Sequence, residues 1–126
     1  MIDEGASIID VGGESTRPGF KTVSDEEEIE RVAYIIEQIK KEYDISVSID
    51  TYKTKVAKAA FIAGANMLND IWGLLFDAEH MDVNKKESMA QIVKDYDASV
   101  CLMHNDSDVM KENNMNIIIN RLKKSI

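Results

Sequence analysis

Polar side chains stand at the ends of four short apolar runs in this sequence. The first three runs carry Asp10, Asp50 with Thr51, and Asn69 with Asp70, and the fourth ends at His104. An ionised carboxylate only accepts hydrogen bonds, whereas an amide also donates them, so Asp and Asn together suit a heterocycle edge that offers several N–H donors. Each residue alone also fits a helix N-cap. Their recurrence, and the position of Asp10 inside its run, favour a ligand site.

The segment from Gly12 to Gly19 is the most specific stretch of the chain. It reads Gly-Gly-Glu-Ser-Thr-Arg-Pro-Gly and contains the only proline. Its backbone N–H groups, with Ser15, Thr16 and Arg17, can surround a phosphate-like oxyanion, to which an arginine gives two parallel hydrogen bonds. A plain glycine-rich turn is the alternative. The segment matches neither the P-loop nor the dinucleotide-binding fingerprint.

Alternating strands and helices are predicted to carry these residues. Ser24 to Glu27 fits a capping box, and the apolar residues that follow it share one helix face. Such alternation predicts an α/β fold with parallel strands and right-handed crossovers, in which ligands bind beyond the carboxyl ends of the strands. The predicted strands are 7–12, 45–50, 65–70 and 98–104, and the predicted helices are 25–42, 53–63 and 88–96.

Length and composition indicate a single domain that spans residues 1–126. The net charge of −8 and the pI near 4.7 argue against a broad basic face for nucleic acid. A membrane span of about 18 apolar residues and a signal-peptide pattern are both missing from the sequence, which predicts a cytoplasmic protein without a membrane partner. Cys101 is the only cysteine. It excludes an intrachain disulfide and is expected to be a small core residue.

The two ends of the chain suggest a portion of a longer protein. Residues 1–6 resemble the last turn of a helix capped by Gly5, and the amphipathic stretch 117–124 runs to the last residues. Residues 105–116, rich in Asn, Asp, Lys and Glu, are predicted to form a flexible loop.

Four segments together resemble the dihydropteroate synthase family. Asp10-Val-Gly-Gly-Glu-Ser-Thr-Arg-Pro-Gly19 is similar to the family's second-loop signature. The other three segments resemble the ends of its third, fourth and fifth strands, in the family's order and spacing; they are Ser48-Ile-Asp50-Thr, Leu68-Asn69-Asp-Ile71 and Leu102-Met103-His104. The resemblance covers about residues 1–104.

The resemblance implies part of a (β/α)₈ TIM barrel, with strands two to five present as four parallel β-α units. The family condenses 6-hydroxymethyl-7,8-dihydropterin pyrophosphate with p-aminobenzoate and releases pyrophosphate. A full barrel needs about 250 residues. The first loop and the later strands are missing from this chain, so we expect the fragment alone to be inactive.

Site residues follow from the resemblance position by position. Asp50 and Asn69 would bind the pterin ring, and Thr16 and Arg17 would serve pyrophosphate and p-aminobenzoate. Asp50 and Arg17 would be catalytic, because Arg17 favours departure of pyrophosphate and Asp50 stabilises cationic character in the pterin. The remaining pterin-pocket residues implied are Asp10, Ile71 and Met103. Mg²⁺ would be the cofactor, held mainly by the missing first loop with no metal ligand from this chain, and we expect a homo-oligomer.

Two other functions remain open at this stage. A pterin-binding module of a methyltetrahydrofolate corrinoid methyltransferase shares the barrel and the Asp and Asn contacts. That module carries no pyrophosphate, so the Ser15-Thr16-Arg17-Pro18 loop argues against it. A non-catalytic remnant of the barrel is the other alternative. Within the loop, Glu14 either orients Arg17 or faces water.

Overall fold

The computed structural model describes residues 1–15, 19, 21–74, 76, 88–103, 119, 120 and 123. Within them, four strands alternate with three helices. The strands are β1 (Ile8–Gly12), β2 (Ser46–Asp50), β3 (Met67–Asp70) and β4 (Ser99–Leu102), and the helices are α1 (Asp25–Glu42), α2 (Thr54–Ile62) and α3 (Met89–Asp95). Every one of these elements was predicted from the sequence, with α1 at the same bounds.

The strands form one parallel sheet in the order β1-β2-β3-β4, which confirms the α/β prediction. One row of Cα partners runs across the sheet from Gly12 through Asp50 and Asn69 to Cys101. Side chains alternate between the two faces of a strand, and partners in register share a face. The carboxyl ends of all four strands therefore meet at one edge, with this row on one face.

The hydrophobic core lies between the helices and the other face of the sheet. Val47, Ile49 and Leu68 from the strands are fully buried against Ile36 of α1 and Val56 of α2. The remaining buried apolar residues of this cluster are Val11, Val32, Ala57, Ala60, Phe61, Ala63, Ala65, Met89 and Ile92. None of the described helices has the length and apolar character needed to cross a membrane.

Local signals in the sequence explain where the helices begin and end. The Ser24 hydroxyl accepts a hydrogen bond from the Glu27 N–H at 3.2 Å, the N-cap contact of the predicted capping box. Gly64 follows α2 with a φ of 111°, a left-handed conformation that glycine adopts without strain. Gly5 has a φ of 97°, but the turn before it, Ile2–Glu4, is a 3₁₀ helix rather than the predicted end of an α-helix.

The prediction that Cys101 is a core residue is wrong. The cysteine is exposed, because its register places it on the face shared with Asn69, opposite the face that packs against the helices. Its neighbour Val100, on the helix side, packs against the core instead. The apolar character of β4 did not distinguish these two faces.

Self-association is expected for the 126-residue chain. In the described sheet β1 and β4 are the outer strands, and Ile8 and Leu102 on them are 48% and 42% exposed. Unpaired strand edges are templates for pairing with another chain. Sedimentation velocity should therefore show dimers or larger species whose population grows with protein concentration. A single monomeric species at high concentration would contradict this expectation.

Candidate functional site

Asp10, Asp50 and Asn69 lie together on one face at the carboxyl edge of the sheet. Asp50 ends β2 and is the register partner of Asn69 in β3. The Asn69 side-chain amide donates a hydrogen bond to Asp10 Oδ2 at 3.2 Å, across β2. Two carboxylates and one amide thus form a continuous polar surface that can face one planar ligand. That this ligand is a pterin stays a prediction.

Asp50 has the electrostatic environment of a cation or N–H donor site. Burial raises the pKa of its carboxyl above the ordinary value of 3.8, and the charges of Asp10, Glu28 and Asp70 raise it further. A carboxylate surrounded by like charges is stabilised by any ligand that brings N–H donors or positive charge. The pterin prediction agrees with this environment, because a pterin offers amino and ring N–H groups.

Gly12 lies directly beside the Asp50 carboxylate. A Cβ atom at this position would lie 3.5 Å from the Asp50 Cβ and 3.7 Å from its Oδ2. A methyl group there would be in ordinary contact with Asp50, and a longer side chain would lie close to the carboxylate. This gives the first glycine of the second-loop signature a physical role at the site.

Asp70 belongs to the opposite face and serves the turn after β3. Its side chain is buried and accepts hydrogen bonds from the Trp72 N–H at 2.8 Å and the Leu74 N–H at 2.7 Å. Burial raises the pKa of Asp70 above its ordinary value, and these hydrogen bonds oppose the rise. Asp70 thus stabilises a turn and is not part of the polar edge.

Ile71 and Met103 lie at the same edge as Asp50. Ile71 begins the turn after β3, and Met103 follows β4 with its N–H donating to the Asp70 carbonyl at 3.0 Å. Thr16, Arg17 and His104 lie outside the described residues, as do the predicted loop 105–116 and residues 77–87. The roles of Thr16 and Arg17 therefore remain predictions from the resemblance.

Beside this edge lies a buried ionic cluster that the sequence analysis missed. The Lys53 ammonium donates to Glu14 Oε2 at 2.7 Å, to Glu28 Oε2 at 2.7 Å and to the Val23 carbonyl at 2.6 Å. The side chains of Lys53, Glu14 and Glu28 are only 11%, 7% and 1% exposed. The Tyr52 hydroxyl donates to the other Glu14 oxygen at 2.6 Å. The alternative in which Glu14 faces water is therefore wrong.

One signal in the sequence could have revealed this cluster. Glu28, Val32 and Ile36 follow each other at four-residue spacing, so they lie on the same face of α1, and all three are buried. A glutamate on the buried face of a helix requires a charged or hydrogen-bonding partner, because an isolated buried charge is very costly. The partners are Lys53 and the Thr51 hydroxyl, which donates to Glu28 Oε1 at 3.1 Å.

The surroundings of Glu14 and Lys53 favour the charged form of each side chain. Burial alone would raise the pKa of Glu14, but the hydrogen bonds from Lys53, Tyr52 and the Val23 N–H outweigh it and lower the pKa below the ordinary 4.5. Burial alone would lower the pKa of Lys53, but Glu14 and Glu28 outweigh it and raise the pKa above 10.5. Burial and the bond to Glu14 raise the pKa of Tyr52 to about 12.

A cleft of about 680 Å³ lies between the loop after β1 and α1. It is lined by Gly12, Gly13, Glu14, Ser15, Lys21, Thr22, Val23, Glu27 and Arg31. Arg31 in this cleft donates to the Gly13 carbonyl at 2.7 Å and pairs with Glu27. Neither Asp50 nor Asn69 is among the described residues that line the cleft, although Gly12, the register partner of Asp50, is.

The described residues do not fit a resident Mg²⁺. Within the part of the chain that the structure describes, no three His, Cys, Asp or Glu side chains come together as a metal-binding group. At the polar edge, the Asn69 amide faces Asp10 with its N–H rather than its oxygen.

Removal of the Asp10 charge is expected to lower the pKa of Asp50. In Asp10→Asn the like charge is lost, while the amide oxygen can still accept the hydrogen bond from Asn69. Burial still raises the pKa of Asp50 in the variant, but the contribution of the Asp10 charge is gone, so wild-type Asp50 becomes protonated at a higher pH than the Asp50 of the variant. Titration of the Asp50 carboxyl ¹³C signal by NMR should show the downward shift. The exposed substitution Asp44→Asn is the control, and an identical titration in Asp10→Asn would refute the assignment.

The sequence of this chain is similar to the sequences of known proteins. A family model described as pterin binding enzyme matches residues 1–124. The dihydropteroate synthase of Clostridium beijerinckii is 53% identical over 126 residues, which is all of this chain and 44% of the relative. That of Bacillus subtilis is 48% identical over 105 residues, 83% of this chain and 34% of the relative.

The fold of this chain is also similar to the folds of solved structures. The dihydropteroate synthase FolP of Clostridium difficile, determined in the presence of pteroic acid, superimposes with a TM-score of 0.77 at 43% identity, over 98% of this chain and 43% of that one. The Xanthomonas albilineans dihydropteroate synthase with 4-aminobenzoic acid gives 0.76 at 32% identity, over 98% and 44%. These likenesses confirm the partial (β/α)₈ barrel, and the chain spans about two fifths of the length of these relatives. The family match and the identity to these relatives show that the chain belongs to the pterin-binding enzyme family.

Proposed function

We propose that this chain forms the pterin-binding part of a dihydropteroate synthase. The reaction is the condensation of 6-hydroxymethyl-7,8-dihydropterin pyrophosphate with p-aminobenzoate. The observation that carries the proposal is the polar edge, where Asp50 and Asn69 are register partners and Asn69 is bonded to Asp10. The names of the relatives support the same reaction.

Recognition of the pterin follows from the hydrogen-bonding capacities of this edge. The Asp50 carboxylate accepts from amino and ring N–H groups, and the Asn69 amide adds both a donor and an acceptor. A buried N–H donor left without a partner costs about 1–3 kcal/mol. Rings with donors at the matching positions are therefore preferred.

The chemistry is a displacement at the methylene carbon of the pterin. The nitrogen of p-aminobenzoate forms the new C–N bond, the C–O bond to pyrophosphate breaks with its electron pair leaving on oxygen, and the amine proton passes to solvent. Asp50 stabilises positive charge that spreads into the ring as the leaving group departs. Arg17, with Thr16, would neutralise the charge of the leaving pyrophosphate.

The proposal also includes a cofactor, an oligomeric state and a location. Mg²⁺ is proposed as a cofactor of the whole enzyme, with ligands from outside the described residues. A homo-oligomer is proposed as the working form. A cytoplasmic location is proposed because the single cysteine accords with a reducing compartment.

A chimeric enzyme tests the proposed function. Residues 1–126 would replace the matching segment of the Clostridium beijerinckii relative, and pyrophosphate release that depends on p-aminobenzoate would be measured. We expect turnover by the chimera and no detectable product from the 126-residue chain alone, because the missing loops and strands complete the site. The Asp50→Ala chimera should lose activity and the Asp44→Ala chimera should keep it. A folded chimera without activity would favour the non-catalytic remnant, and normal turnover by the 126-residue chain would contradict the fragment interpretation.

A further inference from the structure

The Lys53 cluster closes the base of the loop after β1. Glu14 and Val23 bracket the segment 15–22, and Lys53 donates to both of them, to the Glu14 carboxylate and to the Val23 carbonyl. The Val23 N–H also donates to Glu14 Oε2 at 2.7 Å, so the two ends of the loop are bonded directly to each other. The third donor of the ammonium goes to Glu28 of α1. All three N–H bonds of this lysine are thereby used.

The same cluster is connected to the polar edge. Lys53 follows Asp50 by three positions, after Thr51, whose hydroxyl donates to Glu28 and accepts from the Lys53 N–H at 3.2 Å. Gly13, at the start of the loop, packs directly on α1, since a Cβ there would lie 2.7 Å from the Glu28 Cγ and 2.9 Å from the Val32 Cγ1. The position of the loop base is thus determined by the end of β2 and by α1 together.

We propose that Lys53 is a positioning residue, which fixes both ends of the loop after β1 next to the carboxyl end of β2. Lys53 itself touches no substrate and acts through Glu14 and Val23. The part of the proposal that concerns ligands rests on the proposed function, in which the segment between those two residues carries Thr16 and Arg17. We call the hydrogen bonds among Lys53, Glu14 and Val23 the clasp. Its loss would then weaken pyrophosphate binding without altering the pterin contacts of Asp50 and Asn69.

Amide hydrogen exchange of Val23 measures the clasp without any ligand. Glu14→Gln is the first variant, because it leaves the Lys53–Glu28 pair intact but turns one side-chain oxygen into an NH₂ group that faces donors from Tyr52, Lys53 or Val23. We expect the increase in exchange rate at the Val23 N–H to be at least tenfold larger than any increase at the amides of Val47 and Ile49 in β2. Glu30→Gln, an exposed change on α1, is the matched control.

A second variant keeps the test valid if Glu14→Gln does not fold. Tyr52→Phe removes only the hydroxyl that holds the other Glu14 oxygen, and Val23 exchange should accelerate in the same direction. Unchanged Val23 exchange in the folded variants would overturn the proposal. An equal rise in exchange rate in β2 and at Val23 would also overturn the proposal, because such a rise indicates that the clasp only stabilises the whole fold.

The ligand measurement separates positioning from general stability. Calorimetry with inorganic pyrophosphate should show at least fivefold weaker binding to Glu14→Gln, whereas affinity for 6-hydroxymethylpterin should stay within twofold of the wild type. An equal loss for both probes would contradict a positioning role. If the wild-type chain binds neither probe, the proposed function fails, and the Val23 exchange rates still decide whether Lys53 fixes the loop base.

Discussion

Replacement of Asp50 by alanine is expected to weaken binding of a pterin analogue by about tenfold or more. The carboxylate lies at the centre of the polar edge, between Gly12 and Asn69 in register, and is the acceptor best placed for several N–H donors. An N–H donor of the ligand left buried without a partner costs about 1–3 kcal/mol, and about 1.4 kcal/mol corresponds to a factor of ten. Isothermal titration calorimetry of the 126-residue chain with 6-hydroxymethylpterin measures this loss.

A matched control separates this effect from a change in overall charge. Asp44→Ala also removes one negative charge but lies exposed between α1 and β2, away from the carboxyl edge. Its pterin affinity should equal that of the wild type. Equal affinities for the wild type and Asp50→Ala would remove Asp50 from the site, whatever the control shows.

Replacement of Lys53 by methionine is expected to destabilise the fold by about 3–5 kcal/mol. Methionine fills a similar volume but leaves the carboxylates of Glu14 and Glu28 buried without their cation, and breaking a buried pair has a cost of this size. Urea unfolding, monitored by circular dichroism, gives the difference in free energy of unfolding.

Lys55, in the first turn of α2, offers the control for this substitution. Its side chain is 70% exposed and pairs with Asp25 at 3.2 Å, so Lys55→Met should change stability by about 0–1 kcal/mol. The pH dependence provides a second check. Because the pKa of Glu14 is lowered by folding, its ion pair stabilises the protein above the ordinary pKa of 4.5 and is lost as the pH falls through the lower folded value. The difference between wild type and Lys53→Met should therefore shrink at acid pH; equal stabilities at neutral pH would refute the account of the cluster.

The elements and their order could be predicted from the sequence because the local signals agree with each other. Ser24 and Glu27 mark the start of α1, and Gly64 marks the end of α2, where its φ of 111° favours glycine. The convergence of Asp10, Asp50 and Asn69 also followed from the sequence, since residues at the carboxyl ends of neighbouring parallel strands meet at one edge.

Which side chains are buried, and which face of the sheet each one occupies, could not be predicted in the same way, because both depend on how the strands pair in the tertiary structure. Asn69 and Asp70 are adjacent in sequence, yet one faces Asp10 and the other is buried in the turn behind the sheet. Cys101 looked like a core residue because β4 is apolar, but its register with Asn69 exposes it. The partnership of Glu14 with Lys53 joins residues 39 positions apart, for which no local pattern exists.

Mapping the pterin contact by NMR tests the central claim most directly. The claim is that the carboxyl edge of β2 and β3, with Asp50 and Asn69, is the surface that binds the ring. Addition of 6-hydroxymethylpterin to the ¹⁵N-labelled 126-residue chain should shift the amide signals of Gly12, Asp50 and Asn69, and should leave those of the exposed faces of α1 and α2 in place. Shifts confined to the helices, or no shifts at millimolar pterin, would contradict the claim.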